Sequence, residues 1–296
     1  MLAIVGTVPS LEFSFTMGKL TLKEDRITID GKPVAINRGT PALIAAAIKT
    51  AEFLGSVAPI GILVGDIGHG KGSRELYSYL VDNLQSIASN TLVFHYLQPI
   101  VHWHNRLQKV LESIQPRPTL IADAGFMYVA KMSGHAQMYD LFTPDIGELA
   151  FLADENAPHP FYTRGFILHE QNNAAELIQM AYQHGNAARY LLVKGEKDYV
   201  ADATGIHASI DNPSVEVLEA MGGTGDTITG IVSVLIDAGY PIPQACELAA
   251  SANRLSGSFA CPNPATQVME IVRYIPSALQ DILGEKQAFS KSNEKT

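Results

Sequence analysis

"MGGTGDTITGIVSVLIDAG", residues 221–239, sets Gly222, Gly223, Thr224 and Gly225 directly before an apolar helix expected to start near Asp226. Glycine carries no Cβ, so a backbone built from it can approach an anion closely. The first N–H groups of a helix lack partners within it, and the helix dipole points its positive end the same way. The run therefore reads as an anion hole with a carboxylate beside it. Asp226 could also cap the helix, a task Asp performs well. Capping accounts for Asp226 and leaves the preceding Gly-Gly-Thr-Gly unexplained. A carboxylate beside a bound phosphoryl group can take the proton of a hydroxyl as that hydroxyl attacks phosphorus.

Working outward, three helical stretches follow one another downstream: "TITGIVSVLIDAG", "IPQACELAASANRLSGSFA" and "VMEIVRYIPSALQDIL". Upstream, short apolar runs alternate with amphipathic ones. "LAIVGTV" (2–8), "IGILV" (60–64), "NTLVFHYL" (90–97), "PTLIAD" (118–123), "DLFTP" (140–144) and "RYLLVKG" (189–195) read as strands. Residues 40–55, 73–88, 104–114, 147–153 and 172–185 read as helices. Asp30-Gly31 and Thr204-Gly205 mark two hairpins. Strands alternating with helices imply a parallel sheet covered on both faces. No linker or composition shift interrupts the pattern, so one domain is expected over residues 1–284, with the polar residues 285–296 as a flexible tail.

Composition narrows the partners. The formal net charge is -9 and no basic run occurs, which excludes nucleic acid as an expected partner. Hydrophobic residues make up 47% and charged ones 17%, enough for a sizeable core and against disorder. The two cysteines, Cys246 and Cys261, stand in unrelated settings and form neither a disulfide framework nor a zinc spacing. The start "MLAIVGTVPS" lacks a basic n-region, and no apolar run is long enough for a membrane span. A soluble cytoplasmic protein with no membrane partner is the expectation.

"GDIGHGKGS", residues 65–73, has Gly65, Gly70 and Lys71 where a phosphate-binding P-loop wants them. Gly72 then stands where the P-loop needs the Ser or Thr that binds Mg²⁺. Ser73 is one residue late, which on a helix turns it by about 100° away from the metal. Asp123, ending "TLIAD", could serve as the second Mg²⁺ carboxylate of such an enzyme. Without the metal hydroxyl, the loop reads instead as a strand-to-helix turn packed through its glycines, or as the border of a ligand cleft. His95, His102 and His104 invite a metal reading, but His102 and His104 would diverge by about 200° on a helix. With no Cys or carboxylate beside them, they read as surface or edge histidines.

"GGTGDTITGIVSVLIDAGYPIPQACELAASANRLSG" (222–257) resembles the C-terminal signature of the ribokinase-like superfamily. Its doubled glycine and GTGD are most similar to the NAD(P)H-hydrate dehydratases. The resemblance continues upstream in order. "IADAGFMYVA" is similar to that family's Asp-Ala-Asp-Ala-Leu segment, "LFTPDIGELAFL" to its Thr-Pro-His-Pro-Gly-Glu segment, and "YLLVKG" to its strand ending in Lys-Gly. "LVGDIGHGKGS" falls on its Gly-Pro-Gly-Leu-Gly loop, and "RGTPALIAAAIKTAEFLG" on its first helix. The match runs from the first strand to about residue 260.

The resemblance implies a three-layer αβα ribokinase-like fold with a mostly parallel central sheet and helices on both faces. It implies ATP or ADP with Mg²⁺, and a small-molecule substrate: hydrated NADH or NADPH, or a small alcohol. By the same resemblance Asp226 is the catalytic carboxylate, and Lys194, Gly222, Gly223, Thr224 and Gly225 bind the nucleotide phosphates. Gly65, Gly68, Asp123, Thr143 and Asp145 lie on the substrate side. Glu148 helps to hold Mg²⁺, or else is a plain first-turn helix carboxylate.

Departures keep other readings open. Asp145 and Ile146 replace His-Pro, and Gly125 replaces the second Asp of its segment. The stretch 94–118 looks longer than the family needs, and the hairpin of 19–36 looks inserted. A kinase of the same fold, acting on a sugar, a hydroxymethylpyrimidine or a thiazole alcohol, is the alternative. A non-catalytic nucleotide-binding protein is another, opposed by the intact Gly222–Asp226 run. A homo-oligomer is compatible with either.

Because Gly72 occupies the metal-hydroxyl position, Lys71→Ala is expected to leave nucleotide affinity within a few-fold by titration calorimetry. A hundredfold loss, about 2.7 kcal/mol, would restore the P-loop reading.

Overall fold

Strand β1 (Leu2–Val8) is buried along its whole length. The computed structural model describes residues 1–160 and 174–293, with side chains described except at 219, 220 and 285–293. β1 pairs in parallel on both sides, with β5 (Ile60–Gly65) and β6 (Thr91–His95). β7 (Thr119–Asp123), β8 (Leu141–Phe142) and β9 (Tyr190–Val193) continue the parallel run. Alternation along β1 explains its complete burial. Leu2, Ile4 and Val8 enter the core on one sheet face, and Ala3 and Val5 enter the core on the other.

Antiparallel strands extend this parallel centre at both ends. Beyond β9 lie β10 (Asp198–Asp202) and β11 (Gly205–Ile210). Beyond β5 lie β2 (Thr16–Lys23), β3 (Arg26–Ile29) and β4 (Lys32–Ala35). The hairpin expected over 19–36 is thus a three-stranded meander. Its second turn uses Asp30-Gly31 as expected, and its first uses Glu24 and Asp25, both at positive φ. The full order is β11-β10-β9-β8-β7-β6-β1-β5-β2-β3-β4.

One face is covered by α1 (Thr40–Leu54), α7 (Thr224–Asp237), α8 (Ile242–Phe259), α9 (Val268–Val272) and α10 (Ile275–Asn293). The other carries α2 (Lys71–Asn83), α3 (Val101–Ser113), α4 (Gly125–Met132), α5 (Ile146–Ala153) and α6 (Ala174–Gln183). Helix α4 was hidden in the sequence because it follows the strand "TLIAD" without a turn signal. The last expected helix divides into α9 and α10, with Pro276 in the first turn of the second, where proline is tolerated. Residues 94–118, expected as an excess, form the β6–α3–β7 crossover and are integral to the sheet. The residues expected as a tail, 285–296, have no described side chains, 294–296 lie outside the described residues, and α10 runs on through 285–293 where a flexible tail was expected. The first two residues of the helix expected over 172–185 also lie outside the described residues. Among the described residues no helix is long and apolar enough to cross a membrane.

The parallel centre sends five strand ends to one edge of the sheet. Gly65, His95 and Asp123 close β5, β6 and β7, while Thr143 and Lys194 follow β8 and β9 directly. Ligands of open α/β sheets bind at this carboxyl edge. Helices α1 and α7 meet there backbone to backbone: a Cβ on Gly230 would lie 2.2 Å from the Leu43 carbonyl oxygen and 3.0 Å from Ala47 N. Neither atom can yield without moving a helix. Gly230→Ala is therefore expected to destabilise the protein by about 1–3 kcal/mol, read from the urea midpoint, despite the better helix propensity of alanine.

Candidate active site

Asp123, almost fully buried at the end of β7, receives four hydrogen bonds. Lys194 Nζ donates to both its oxygens at 2.9 and 3.0 Å, Thr229 Oγ1 donates at 2.6 Å and Ala124 N at 2.8 Å. Burial alone would raise the Asp123 pKa. Lys194, His95 and the Thr229 hydroxyl outweigh it and hold the carboxyl below its usual range. Burial would likewise lower Lys194, but the charges of Asp123, Glu148 and Asp226 raise it above its ordinary value. Both partners are thus ionised. Thr143 Oγ1 lies 2.9 Å from Thr229 Oγ1, behind the pair and with no exposure of its own.

Asp226 sits in the first turn of α7, whose N-cap is Gly223 at φ 103°. A Cβ on Gly223 would lie 3.3 Å from both Arg38 Cα and the Asn37 carbonyl oxygen, so glycine here also serves the close approach of the chain before α1. The helix starts at Thr224, two residues earlier than expected, directly after Gly223 in the left-handed conformation that glycine adopts without strain. Both Asp226 oxygens have donors: Oδ2 accepts from Gly39 N at 2.7 Å, and Oδ1 lies 3.0 Å from His95 Nε2. The far ring nitrogen of His95, Nδ1, is 2.9 Å from Thr40 Oγ1.

These groups open onto a cleft of 430 Å³. Asp123, Lys194, Thr224, Gly225 and Asp226 line its floor, and Asp145 and Glu148 line one wall. Asp145 caps α5 and shares a capping box with Glu148: Glu148 N donates to Asp145 Oδ1 at 2.7 Å and Asp145 N to Glu148 Oε2 at 2.9 Å. Burial pushes Glu148 up to about 8 against the pull of Lys194, with the charges of Asp123 and Asp145 adding to the rise. Glu148 is half-buried. Arg254 ties the opposite wall together, donating to Asp198 Oδ2 at 2.7 Å and to the carbonyls of Gly195 and Glu196 at 2.9 and 2.8 Å. Asn253 Nδ2 donates to the Thr224 carbonyl at 3.1 Å and steadies the first turn of α7.

Residues 97–277 match the family model described as NAD(P)H-hydrate dehydratase, more than half of the chain. The chain belongs to that family. An uncharacterised protein of Methanocaldococcus jannaschii is 40% identical over 242 residues, which cover 81% of this chain and 100% of the relative. A ribokinase-like superfamily protein of Enterococcus faecalis superposes with a TM-score of 0.60 at 16% identity, covering 95% of this chain and 86% of that one. The pyridoxal kinase of Staphylococcus aureus, solved with AMP-PCP and pyridoxal, gives 0.53 at 13% identity, covering 86% and 87%. At such identities the likeness is one of fold, and the fold is ribokinase-like.

The loop 65–73 lies outside the stretch matched to the dehydratase family. Its inward-facing donors are already taken. Asp66, itself buried, accepts from Gly68 N and Gly70 N at 3.0 Å and from Ser73 N and Ser73 Oγ at 2.9 Å. Burial acts to raise the Asp66 pKa, but these bonds from Ser73, Gly70 and Gly68 hold it below the ordinary value. The carboxylate fills the place a phosphate would need. Gly65 and Gly72 are glycines for packing: a Cβ would lie 2.0 Å from the Ser10 carbonyl oxygen and 2.1 Å from the Gly65 carbonyl oxygen respectively. Gly65, Gly68, Thr143, Gly222 and Gly223 are not among the residues lining the cleft.

Two of the three histidines correct the sequence reading. His102 is exposed as expected, whereas His95 and His104 are fully buried. His104 bonds Tyr139 Oη and Ser133 Oγ, each at 2.9 Å, and burial lowers its pKa to about 3, so it is a neutral core residue. His95, Asp123 and Asp226 form a tight cluster, one ligand atom of each within 4.8 Å of the others. Lys194 already occupies both Asp123 oxygens, which suits an ion-pair network better than a metal centre. His95 ends an apolar strand in register with Asp123 on the next one, a pairing only the fold reveals. Arg254 and Asn253 gave no signal, lying inside an ordinary helical pattern.

Glu148 generates a pH prediction. Its folded pKa of about 8 lies above the ordinary 4.5, so the folded state holds an extra proton between those values. Stability from this group is present below about 4.5 and is lost as pH rises through about 8. Glu148→Gln is expected to flatten the fall in melting temperature between pH 5 and pH 8.5, measured without nucleotide. An unchanged slope would place the ionised carboxylate at rest in the folded cleft.

Proposed function

We propose that this member of the dehydratase family transfers a phosphoryl group from Mg²⁺-bound ATP or ADP to the hydroxyl of hydrated NADH or NADPH, after which phosphate leaves. The observation that carries the reading is Asp226, a carboxylate fixed by two donors in the first turn of α7 on the floor of the cleft. The N–H groups of the first turn and the Lys194 ammonium would face the transferring phosphoryl. Asp226 would accept the hydroxyl proton as oxygen attacks phosphorus and the bond to the nucleotide breaks. The nucleotide leaves as its shortened form, and the phosphate ester then eliminates.

The oxygen donors of the wall fit Mg²⁺, which prefers carboxylates and water. Glu148 and Asp145 would hold it, Glu148 giving up the proton that burial and its acidic neighbours favour. Bound there, the ion would neutralise charge on the phosphates. Lys194 and Arg254 are already paired with Asp123 and Asp198, which leaves Asp145, Glu196 and Asp226 as acidic groups of the lining with no Lys or Arg partner there, and Glu148 as a protonated acid beside them. That acidity supports a second reading, a kinase for a small alcohol that carries no phosphates of its own.

The decisive assay incubates the protein with Mg²⁺, ATP or ADP, and either hydrated NADH or a panel of alcohols. Recovery of absorbance at the reduced-nicotinamide band supports dehydration, and a stable phosphate ester supports the kinase. Asp226→Asn removes the base. It is expected to lower turnover by about 10²–10⁴-fold while nucleotide binding persists. The amide can accept from only one of Gly39 N and His95, so a modest loss of melting temperature accompanies it. Full turnover in this variant would remove Asp226 from the mechanism.

A further inference from the structure

His95 has no exposure, contacts no solvent and does not line the cleft, yet its ring touches both acids of the floor. Nε2 is 3.0 Å from Asp226 Oδ1 and 3.7 Å from Asp123 Oδ2. On its other side Nδ1 meets the Thr40 hydroxyl at 2.9 Å. The neighbouring strand leaves room for this bracket: a Cβ on Gly6 would lie 2.6 Å from Thr40 Cγ2 and 2.9 Å from the His95 carbonyl oxygen. From this geometry we infer that His95 is a positioning residue for Asp226, fixing the plane of its carboxylate and tying it to the Asp123–Lys194 pair. The inference rests on the phosphoryl-transfer reading for its kinetic consequence and on the hydrogen bonds alone for its structural one.

An ionised carboxylate only accepts hydrogen bonds, so Nε2 must carry the hydrogen, and the Thr40 hydroxyl can serve Nδ1 in either role. Gly39 N and His95 Nε2 each hold one oxygen of Asp226, and two donors on two oxygens stop the group from rotating about χ2. Only the remaining lone pairs face the cleft. If the imidazole donor is lost, Gly39 N alone holds the group, and the base swings out of the attack line. A misplacement of about 1 Å in such a group costs on the order of 10²-fold in rate. On the phosphoryl-transfer reading the nucleotide contacts would lie on Lys194 and the first turn of α7, so nucleotide affinity should not follow.

Two variants separate positioning from packing. The amide nitrogen of Gln reaches the place of Nε2 and restores the donor to Asp226. The amide nitrogen of Asn reaches the place of Nδ1 and keeps only the Thr40 side. His95→Asn is expected to lower kcat about 10²-fold with KM for the nucleotide within twofold, and His95→Gln to recover at least tenfold of that loss. Equal kcat in the two variants, or a change confined to KM, would overturn the inference. A readout independent of turnover is the ¹⁵N resonance pattern of the imidazole. A protonated Nε2 that shifts in Asp226→Asn supports the bracket, and an unprotonated Nε2 or an unmoved resonance overturns it. If the wild-type protein turns over no substrate in the panel, the functional reading fails and the resonances still decide the role of His95.

Discussion

The salt bridge between Lys194 and Asp123 is the constraint on which the floor of the molecule depends. Moving two charges out of water is costly, and their attraction offsets the cost only when geometry is good and the remaining polar atoms are satisfied. Here the chain commits four elements to that satisfaction. β7 supplies Asp123, the end of β9 supplies Lys194, α7 supplies Thr229 and the turn after β7 supplies Ala124 N. Thr143, past β8, then satisfies Thr229. The parallel sheet delivers these groups to one edge, and the close α1–α7 crossing brings Asp226 and Gly39 to the same place. Losing either charge would leave the other buried without its ion-pair partner, which is far more damaging than losing both.

Two backbone positions show what this convergence demands. Tyr96 follows His95 at φ 58°, and Ala124 follows Asp123 at φ 48°. Neither is glycine, and such conformations are costly for side chains that carry a Cβ. Each comes directly after a strand-terminal member of the His95–Asp123–Asp226 cluster. The strands must turn sharply there so that the acid or imidazole points along the edge while the chain leaves for α3 or α4. The conformations persist because the neighbouring hydrogen bonds over-determine them: Thr7 Oγ1 donates to the Tyr96 carbonyl, and Ala124 N donates to Asp123.

Much of this was legible in the sequence, and the limits have physical causes. The alternation of apolar runs and amphipathic helices gave the layered sheet, since periodicity reports which faces are buried. Asp226 was legible because glycines, a helix start and a carboxylate stand side by side in the chain. His95 was not, because its role is made by Thr40 and Asp226, which are 55 and 131 residues away and which no local pattern brings together. The loop 65–73 was legible as no P-loop because Gly72 lacks the metal hydroxyl, but what takes its donors was not. Its spacing imitates an anion cradle, and the residue that fills the cradle, Asp66, belongs to the same nine residues. The antiparallel ends of the sheet were half-visible: one turn of the β2–β4 meander carried Asp-Gly, and the other, Glu24-Asp25, carried no glycine.

Those antiparallel ends bear on how copies of the chain can meet. A sheet with open edges invites another chain to add a strand. Strand β4 closes one end, and Pro33 within it offers no N–H to an incoming partner. At the other end the β10–β11 pair slips register between Val200 and Ala201, an irregularity that twists an edge away from flat pairing. The molecule therefore resists growing by strand addition, and stacks of copies joined through a continuous sheet are disfavoured at both borders. Association between copies, wherever it occurs, is left to the helical faces and loops.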